Sequence, residues 1–80
     1  MQAQDVQTLL AEQLEGCQVQ VNGEGSHFDI LVIGELFEGL SRVRKQQVVY
    51  KVINPLIADG SLHAVNIRTF TPEEWNAQSA

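Results

Sequence analysis

Three short segments in which apolar and polar residues alternate constrain the fold of this chain most. They cover residues 17–21, 27–34 and 62–70, and each has the period of two that is typical of a strand with one dry face. A turn with two glycines, residues 22–26, joins the first two segments and predicts an antiparallel hairpin. The connection between the second and third is long and helical in pattern, which predicts parallel strands with a right-handed crossover.

Apolar residues at helical spacing predict the helices around these strands. Asp5 is the predicted N-cap of the first helix and Gly16 ends it. Ser41 is the predicted N-cap of the central helical region, where Pro55 interrupts the apolar stripe and predicts a kink or a division into two helices. Residues 71–74, TPEE, match a capping box and predict a short terminal helix, with fraying over residues 76–80.

The resulting order, α-β-β-α-α-β with a short C-terminal helix, predicts an α+β fold. The sheet is three-stranded and mixed, with the helices on one face, and the other face is partly open because the alternation places four polar residues there: Gln18, Gln20, Asn66 and Arg68. We expect a single domain over residues 1–80. A chain this short buries only ~60% of its unfolded surface, which is enough for one small core and leaves no room for a second. No apolar run approaches the ~20 residues that span a bilayer, so we expect no membrane partner.

The charge is uneven along the chain. The net charge is −5, which argues against tight binding to a phosphate backbone, yet four of the five basic residues fall within residues 42–51: Arg42, Arg44, Lys45 and Lys51. This basic segment is either a solvated helix face or a docking surface for an anionic partner. The lone Cys17 excludes a disulfide within the chain, is typical of a cytoplasmic protein, and shares its face with Val19 and Val21, which predicts a buried core residue.

Three stretches resemble the BolA-like protein family. They are residues 37–50, FEGLSRVRKQQVVY, residues 62–75, LHAVNIRTFTPEEW, and residues 25–28, GSHF. The resemblance extends from about Val6 to Trp75, and the KQQ at residues 45–47 is similar to the short bacterial IbaG or YrbA subgroup. Many members have Arg-His where this chain has Arg44 and Lys45, so a role for a helical histidine does not carry over.

The resemblance implies a class II KH-like fold and two kinds of function. One is partnership with a monothiol glutaredoxin, with a bridged 2Fe–2S cluster shared in iron–sulfur trafficking or in iron and stress regulation. The other is DNA binding and transcriptional control, for which Arg42, Arg44 and Lys45 are the candidate residues. No enzymatic activity is implied. We expect a monomer or a weak homodimer when no cluster is bound.

His63 and His27 are the candidate cluster ligands under this resemblance. A 2Fe–2S cluster usually takes four protein ligands, so this chain would supply two while the glutaredoxin and glutathione supply two sulfurs. The residues alone favour a plainer interpretation, in which His63 is a partly buried histidine on the face of Val65 and Ile67, and His27 is an exposed turn residue. The DNA-binding alternative lacks a Gly-x-x-Gly loop, and an enzyme lacks any nucleophile-and-base motif.

Overall fold

A computed structural model gives the helices and strands within residues 2–24 and 27–79. In chain order they are α1 (Ala3–Gln13), β1 (Gln18–Glu24), β2 (His27–Ile33), a 3-10 turn (Glu35–Phe37), α2 (Arg42–Ala58), β3 (Ala64–Phe70) and α3 (Pro72–Ser79). The α+β class and the three-stranded mixed sheet are confirmed. α3 extends over most of the segment for which the sequence predicts fraying.

The sheet has the order β1-β2-β3, with one dry and one polar face. β1 and β2 pair antiparallel, and β2 and β3 pair parallel, as the hairpin and the crossover predict. Val21, Ile30 and Ile67 lie side by side in the register, and all three are buried. On the opposite face Gln20, Leu31 and Arg68 form the equivalent row, in which both polar side chains are exposed.

The core lies between the dry face and helices α1 and α2. Its fully buried side chains come from both helices, from the sheet, from the 3-10 turn and from the connection between α2 and β3: Val6, Leu10, Ile30, Val32, Phe37, Val49, Ile53 and Leu62. Phe37 fixes the irregular connection after β2, because its ring is completely buried while the preceding Leu36 is exposed. Burial of an aromatic side chain contributes roughly 1.5–3 kcal/mol relative to leaving it in water.

Two helix boundaries differ from those that the sequence predicts. α1 begins one turn earlier, with Gln2 as N-cap, and Asp5 at the third helical position accepts a hydrogen bond from the Gln2 backbone N–H at 2.9 Å. α2 continues through Pro55 without dividing, and the Asp59 N–H donates to the Pro55 carbonyl at 3.1 Å. Pro55 has no N–H to donate to the Lys51 carbonyl, so α2 lacks one i→i−4 hydrogen bond there, and the helix continues to Ala58.

Two strand boundaries also differ. Residues 22–24 belong to β1, where Asn22 pairs with Asp29, so the predicted five-residue turn is shorter; Gly25 and Ser26 lie outside the described residues. Gly23 is required there because a Cβ would collide with the carbonyl oxygen of His27. The third strand begins two residues later than predicted, at Ala64.

The terminal helix is attached at its first turn. The Glu74 N–H donates to Thr71 Oγ1 at 3.1 Å, and the Thr71 N–H donates to Glu74 Oε1 at 2.8 Å, which confirms the predicted capping box. The rings of Phe70 and Trp75 also pack together, with centroids 5.4 Å apart. Across the described part of the chain, none of the helices is long and apolar enough to cross a membrane.

Candidate functional site: two histidines at one end of the sheet

The parallel pairing of β2 and β3 brings the two histidines of this chain to the same end of the sheet. His27 is the first residue of β2, and its partner in β3 is Ala64, the residue directly after His63. Neighbouring strands lie ~4.8 Å apart, so the two histidine positions are adjacent although 36 positions separate them in the numbering. Both side chains are exposed to solvent.

His63 stands on a segment that is fixed to the end of α2. Leu62 beside it is buried, with 1% of its surface exposed, and its N–H donates to the Leu56 carbonyl at 3.1 Å. The Ser61 N–H donates to Asp59 Oδ1 at 2.8 Å, and the hydrogen bonds to Ser61 lower the pKa of that carboxyl. The interpretation of His63 as a partly buried residue is therefore wrong. The strand alternation begins only at Ala64, and Leu62 takes the core position instead.

A shallow depression of about 360 Å³ lies beside His27, between β2 and β3. Asp29 lines it on the same strand face as His27, and its neighbour in the register is Asn66. The sequence analysis did not single out Asp29 as a neighbour of His27. Residues i and i+2 of a strand share one face, so this spacing could have predicted it. Among the side chains that the structure describes, those of residues 2–23 and 27–78, no three from His, Cys, Asp or Glu converge as a metal site.

Cys17 is not part of this site. It precedes Gln18, which pairs with Ile33 at the far end of β2, ~20 Å along the strand from His27. Its side chain packs against Gly34, where an added Cβ would collide with the sulfur. Burial raises the pKa of the thiol and so disfavours the thiolate that binds metals. The sequence predicts a buried core residue, and the structure has Cys17 half-buried at the edge of the core.

The basic segment is smaller than the sequence predicts. Arg42 and Arg44 are exposed in the first turn of α2. Lys45 is not, because only 11% of its side chain is accessible and its Nζ lies 2.7 Å from Glu74 Oε1. This contact is the largest cause of the lowered pKa of Glu74. Lys45 is therefore not the exposed base that the sequence predicts, since helical periodicity turns it inward and the fold brings a carboxylate to it; its role in docking stays a prediction.

The family is decided by a match that covers most of the chain. A model of the BolA-like proteins matches residues 5–74. The chain belongs to the BolA-like protein family. The Acid stress protein IbaG of Escherichia coli K12 is 47% identical over 75 residues, which cover 94% of this chain and 89% of the relative.

Two further comparisons place the chain within that family. The DNA-binding transcriptional regulator BolA of Haemophilus influenzae is 35% identical over 57 residues, which cover 71% of this chain and 54% of the relative. The solved structure of a BolA homologue from Coxiella burnetii superposes with a TM-score of 0.82 at 25% identity, covering 95% and 97% of the two chains. The fold of this BolA-like protein is thus the fold of its family, and none of these names is that of an enzyme.

Proposed function

We propose that this protein is a cytoplasmic adaptor that partners a monothiol glutaredoxin and shares a bridged 2Fe–2S cluster with it. The observation that carries the proposal is the parallel register of β2 and β3, which puts His27 and His63 side by side and exposed at one end of the sheet. Neither histidine is used by the core. Two accessible imidazoles at one end of the sheet, with His27 lining an open depression, form half of a ligand set that a partner could complete.

The ligand arithmetic supports a shared site rather than a site within one chain. A 2Fe–2S cluster takes four ligands, and His₂ ligation of one iron raises its reduction potential relative to four thiolates. Among the described residues no third ligand accompanies His27 and His63, and Cys17 lies at the far end of the hairpin. A glutaredoxin thiolate and a glutathione thiolate would supply the other two ligands.

The two histidines have different supports in this arrangement. His63 follows Leu62, whose burial and backbone hydrogen bond hold the segment in place, so the backbone at His63 is positioned before a partner arrives. His27 is the first residue of β2, and Gly25 and Ser26 before it lie outside the described residues. We therefore propose His63 as the principal ligand and His27 as the second, with the protein acting as a carrier or sensor of the cluster in iron or stress regulation.

The test is cluster assembly with a monothiol glutaredoxin, glutathione, iron and sulfide, followed by visible absorption and circular dichroism. We expect a spectrum that differs from that of the glutaredoxin homodimer and is lost or altered in His63→Ala. Cys17→Ala is the matched control, since it removes a potential ligand outside the site and should leave the spectrum unchanged. A spectrum that stays that of the glutaredoxin alone would refute the proposal.

DNA binding is the second candidate function. Arg42 and Arg44 are exposed together in the first turn of α2, and one relative carries the name of a DNA-binding regulator. Because Lys45 is paired with Glu74, two basic residues remain for phosphate contact. If the protein binds DNA, replacing both arginines with glutamine should reduce the slope of log K against log salt by about 2. An unchanged slope would exclude these two residues as the phosphate contacts.

A further inference from the structure

One edge of the sheet carries backbone groups that face away from the neighbouring strand. β3 is an edge strand, paired on one side only, with β2. The N–H of Gly34, the residue after β2, donates to the Phe70 carbonyl at 3.0 Å, so the backbone groups of Phe70 point toward β2. Because the N–H and C=O of one strand residue point the same way and successive residues alternate, Val65, Ile67 and Thr69 present theirs outward. Such a row of groups is a template for another extended chain.

This edge is only lightly covered. In the described part of the chain, the one hydrogen bond to those outward groups comes from Gln46 of α2, whose Nε2 donates to the Ile67 carbonyl at 3.3 Å. The opposite edge has a similar cover, since Gln7 of α1 accepts from the Val21 N–H of β1 at 3.2 Å. A single flexible amide is easily displaced, so the β3 edge is open to a partner strand.

A groove of about 470 Å³ runs along this edge between α2 and β3. We call it the α2–β3 groove, and its defining residues are Arg42, Gln46, Ile67, Arg68, Thr69 and Glu74. Its one carboxylate, Glu74, already holds the Lys45 ammonium, which also lines the groove. Among the side chains that the structure describes, that is the only ion pair, so Arg42 and Arg68 have no carboxylate partner. The groove is thus positive on a chain whose net charge is −5.

The two arginines stand on different sides of the exposed strand edge. Arg68 belongs to the polar face of the sheet, beside Leu31 in the register, whereas Arg42 projects from the helix that covers the other face. Successive side chains of an added strand would point alternately toward these two faces. A carboxylate at either parity of such a strand would therefore meet a guanidinium.

We propose that the α2–β3 groove docks an extended acidic segment of a protein partner, which adds to the sheet as a fourth strand beside β3. The backbone of the segment bonds to the outward groups of Val65, Ile67 and Thr69, and its carboxylates pair with Arg42 and Arg68. A peptide fits better than a nucleic acid because alternating donors and acceptors along an edge match another peptide backbone. The groove itself lies along residues 67–70, toward the C-terminal end of β3, and the inference uses the strand edge and the two arginines rather than the histidines, so it goes beyond the proposed function.

The probe is a capped peptide of alternating glutamate and valine, as long as the seven residues of β3. Binding is followed by nuclear magnetic resonance of the ¹⁵N-labelled protein and by amide hydrogen exchange. We expect the amides of Val65, Ile67 and Thr69 to shift and to exchange more slowly in the complex. The same peptide with glutamine in place of glutamate should bind several-fold more weakly.

Three charge variants separate a specific groove from general attraction. Arg42→Gln and Arg68→Gln should each weaken peptide binding by about threefold to fivefold, the effect of one exposed ion pair. Lys51→Gln is the matched control, because Lys51 is exposed on α2 but lines a different depression, between α1 and α2, and its loss should leave the affinity unchanged. All three positions are exposed, so none of these changes removes a core contact.

Four results would overturn the inference. They are unperturbed β3 amides, an equal loss of affinity in Lys51→Gln, tighter binding of an oligothymidylate to the same groove, and protection of the β3 amides by self-association without any peptide. Each result is independent of cluster assembly, which depends on His63 and His27. Failure of the groove would therefore leave the cluster proposal standing, and the reverse also holds.

Discussion

Substituting alanine for Gly34 tests whether Cys17 packs where the structure places it. Gly34 joins β2 to the 3-10 turn with φ −165° and ψ 151°, an extended conformation that any residue adopts. A Cβ there would lie 3.3 Å from the Cys17 Cβ and would collide with the Cys17 sulfur. The penalty of Gly34→Ala is therefore a packing penalty, with no contribution from backbone strain.

The magnitude follows from two opposing effects. Overpacking of a well-packed site typically costs about 1–3 kcal/mol. Replacing glycine by alanine at an unstrained position stabilises by about 0.4–1 kcal/mol, because the unfolded chain loses conformational entropy. Gly34→Ala should thus lower the free energy of unfolding by about 0–2.6 kcal/mol, the difference between these two ranges. In a Cys17→Ala background the sulfur is gone, and the same change should be neutral or slightly stabilising.

The assay is urea denaturation of the four proteins of this double-mutant cycle, followed by far-ultraviolet circular dichroism. A destabilisation of 1 kcal/mol corresponds to a fall of about 4–8 °C in the melting temperature of a domain of this size. Gly39→Ala is the control: Gly39 has φ +79° with no atom within 4 Å of an added Cβ, so its cost should be equal in both backgrounds. An equal cost of Gly34→Ala in both backgrounds would refute the packing of Cys17 against Gly34.

Two further predictions concern the connection after β2 and the terminal helix. Phe37→Ala should lower the free energy of unfolding by about 3–5 kcal/mol, because it empties a fully buried site; a cost below 1 kcal/mol in urea denaturation would show that the 3-10 turn is not anchored there. The pKa of Glu74 is lowered in the folded protein. Its interactions therefore stabilise the fold at pH values above its ordinary pKa of about 4.5, and this stabilisation is lost as the pH falls through the lowered pKa of the folded state. Wild type should therefore exceed Glu74→Gln in stability at neutral pH, and thermal melts across pH 2–7 should show the difference shrinking in acid; a constant difference would contradict the Lys45 contact.

Local sequence signals predicted the elements that depend on nearby residues. Residues 71–74 carry both partners of a capping box, and the structure forms it. Ser41 likewise caps α2 by accepting from the Arg44 N–H at 3.2 Å. The strand period and the long helical connection predicted the hairpin, the parallel crossover and the polar face, because these follow from side-chain alternation and chain connectivity alone.

The errors arise where a distant segment decides the outcome. The sequence predicts Lys45 as an exposed base, because no acidic residue lies near it in the sequence. In the structure Glu74, 29 positions away, pairs with its ammonium, and the Lys45 side chain is nearly buried. His63 counted as part of a strand because its parity matched that of Val65. Leu62 is instead buried and bonded to the Leu56 carbonyl near the end of α2, so the strand alternation begins only at Ala64 and the His63 ring is exposed.

The amino-acid sequence by itself determined the family and the order of the strands and helices, apart from the expected interruption at Pro55, since these reside in periodicity and in motifs that survive without coordinates. Only the tertiary structure decided that His27 and His63 share one end of the sheet, that Cys17 lies far from them, and that two arginines flank an open strand edge. The physical reason is that side-chain neighbours across a parallel pair are set by the register between distant segments, which no local pattern encodes.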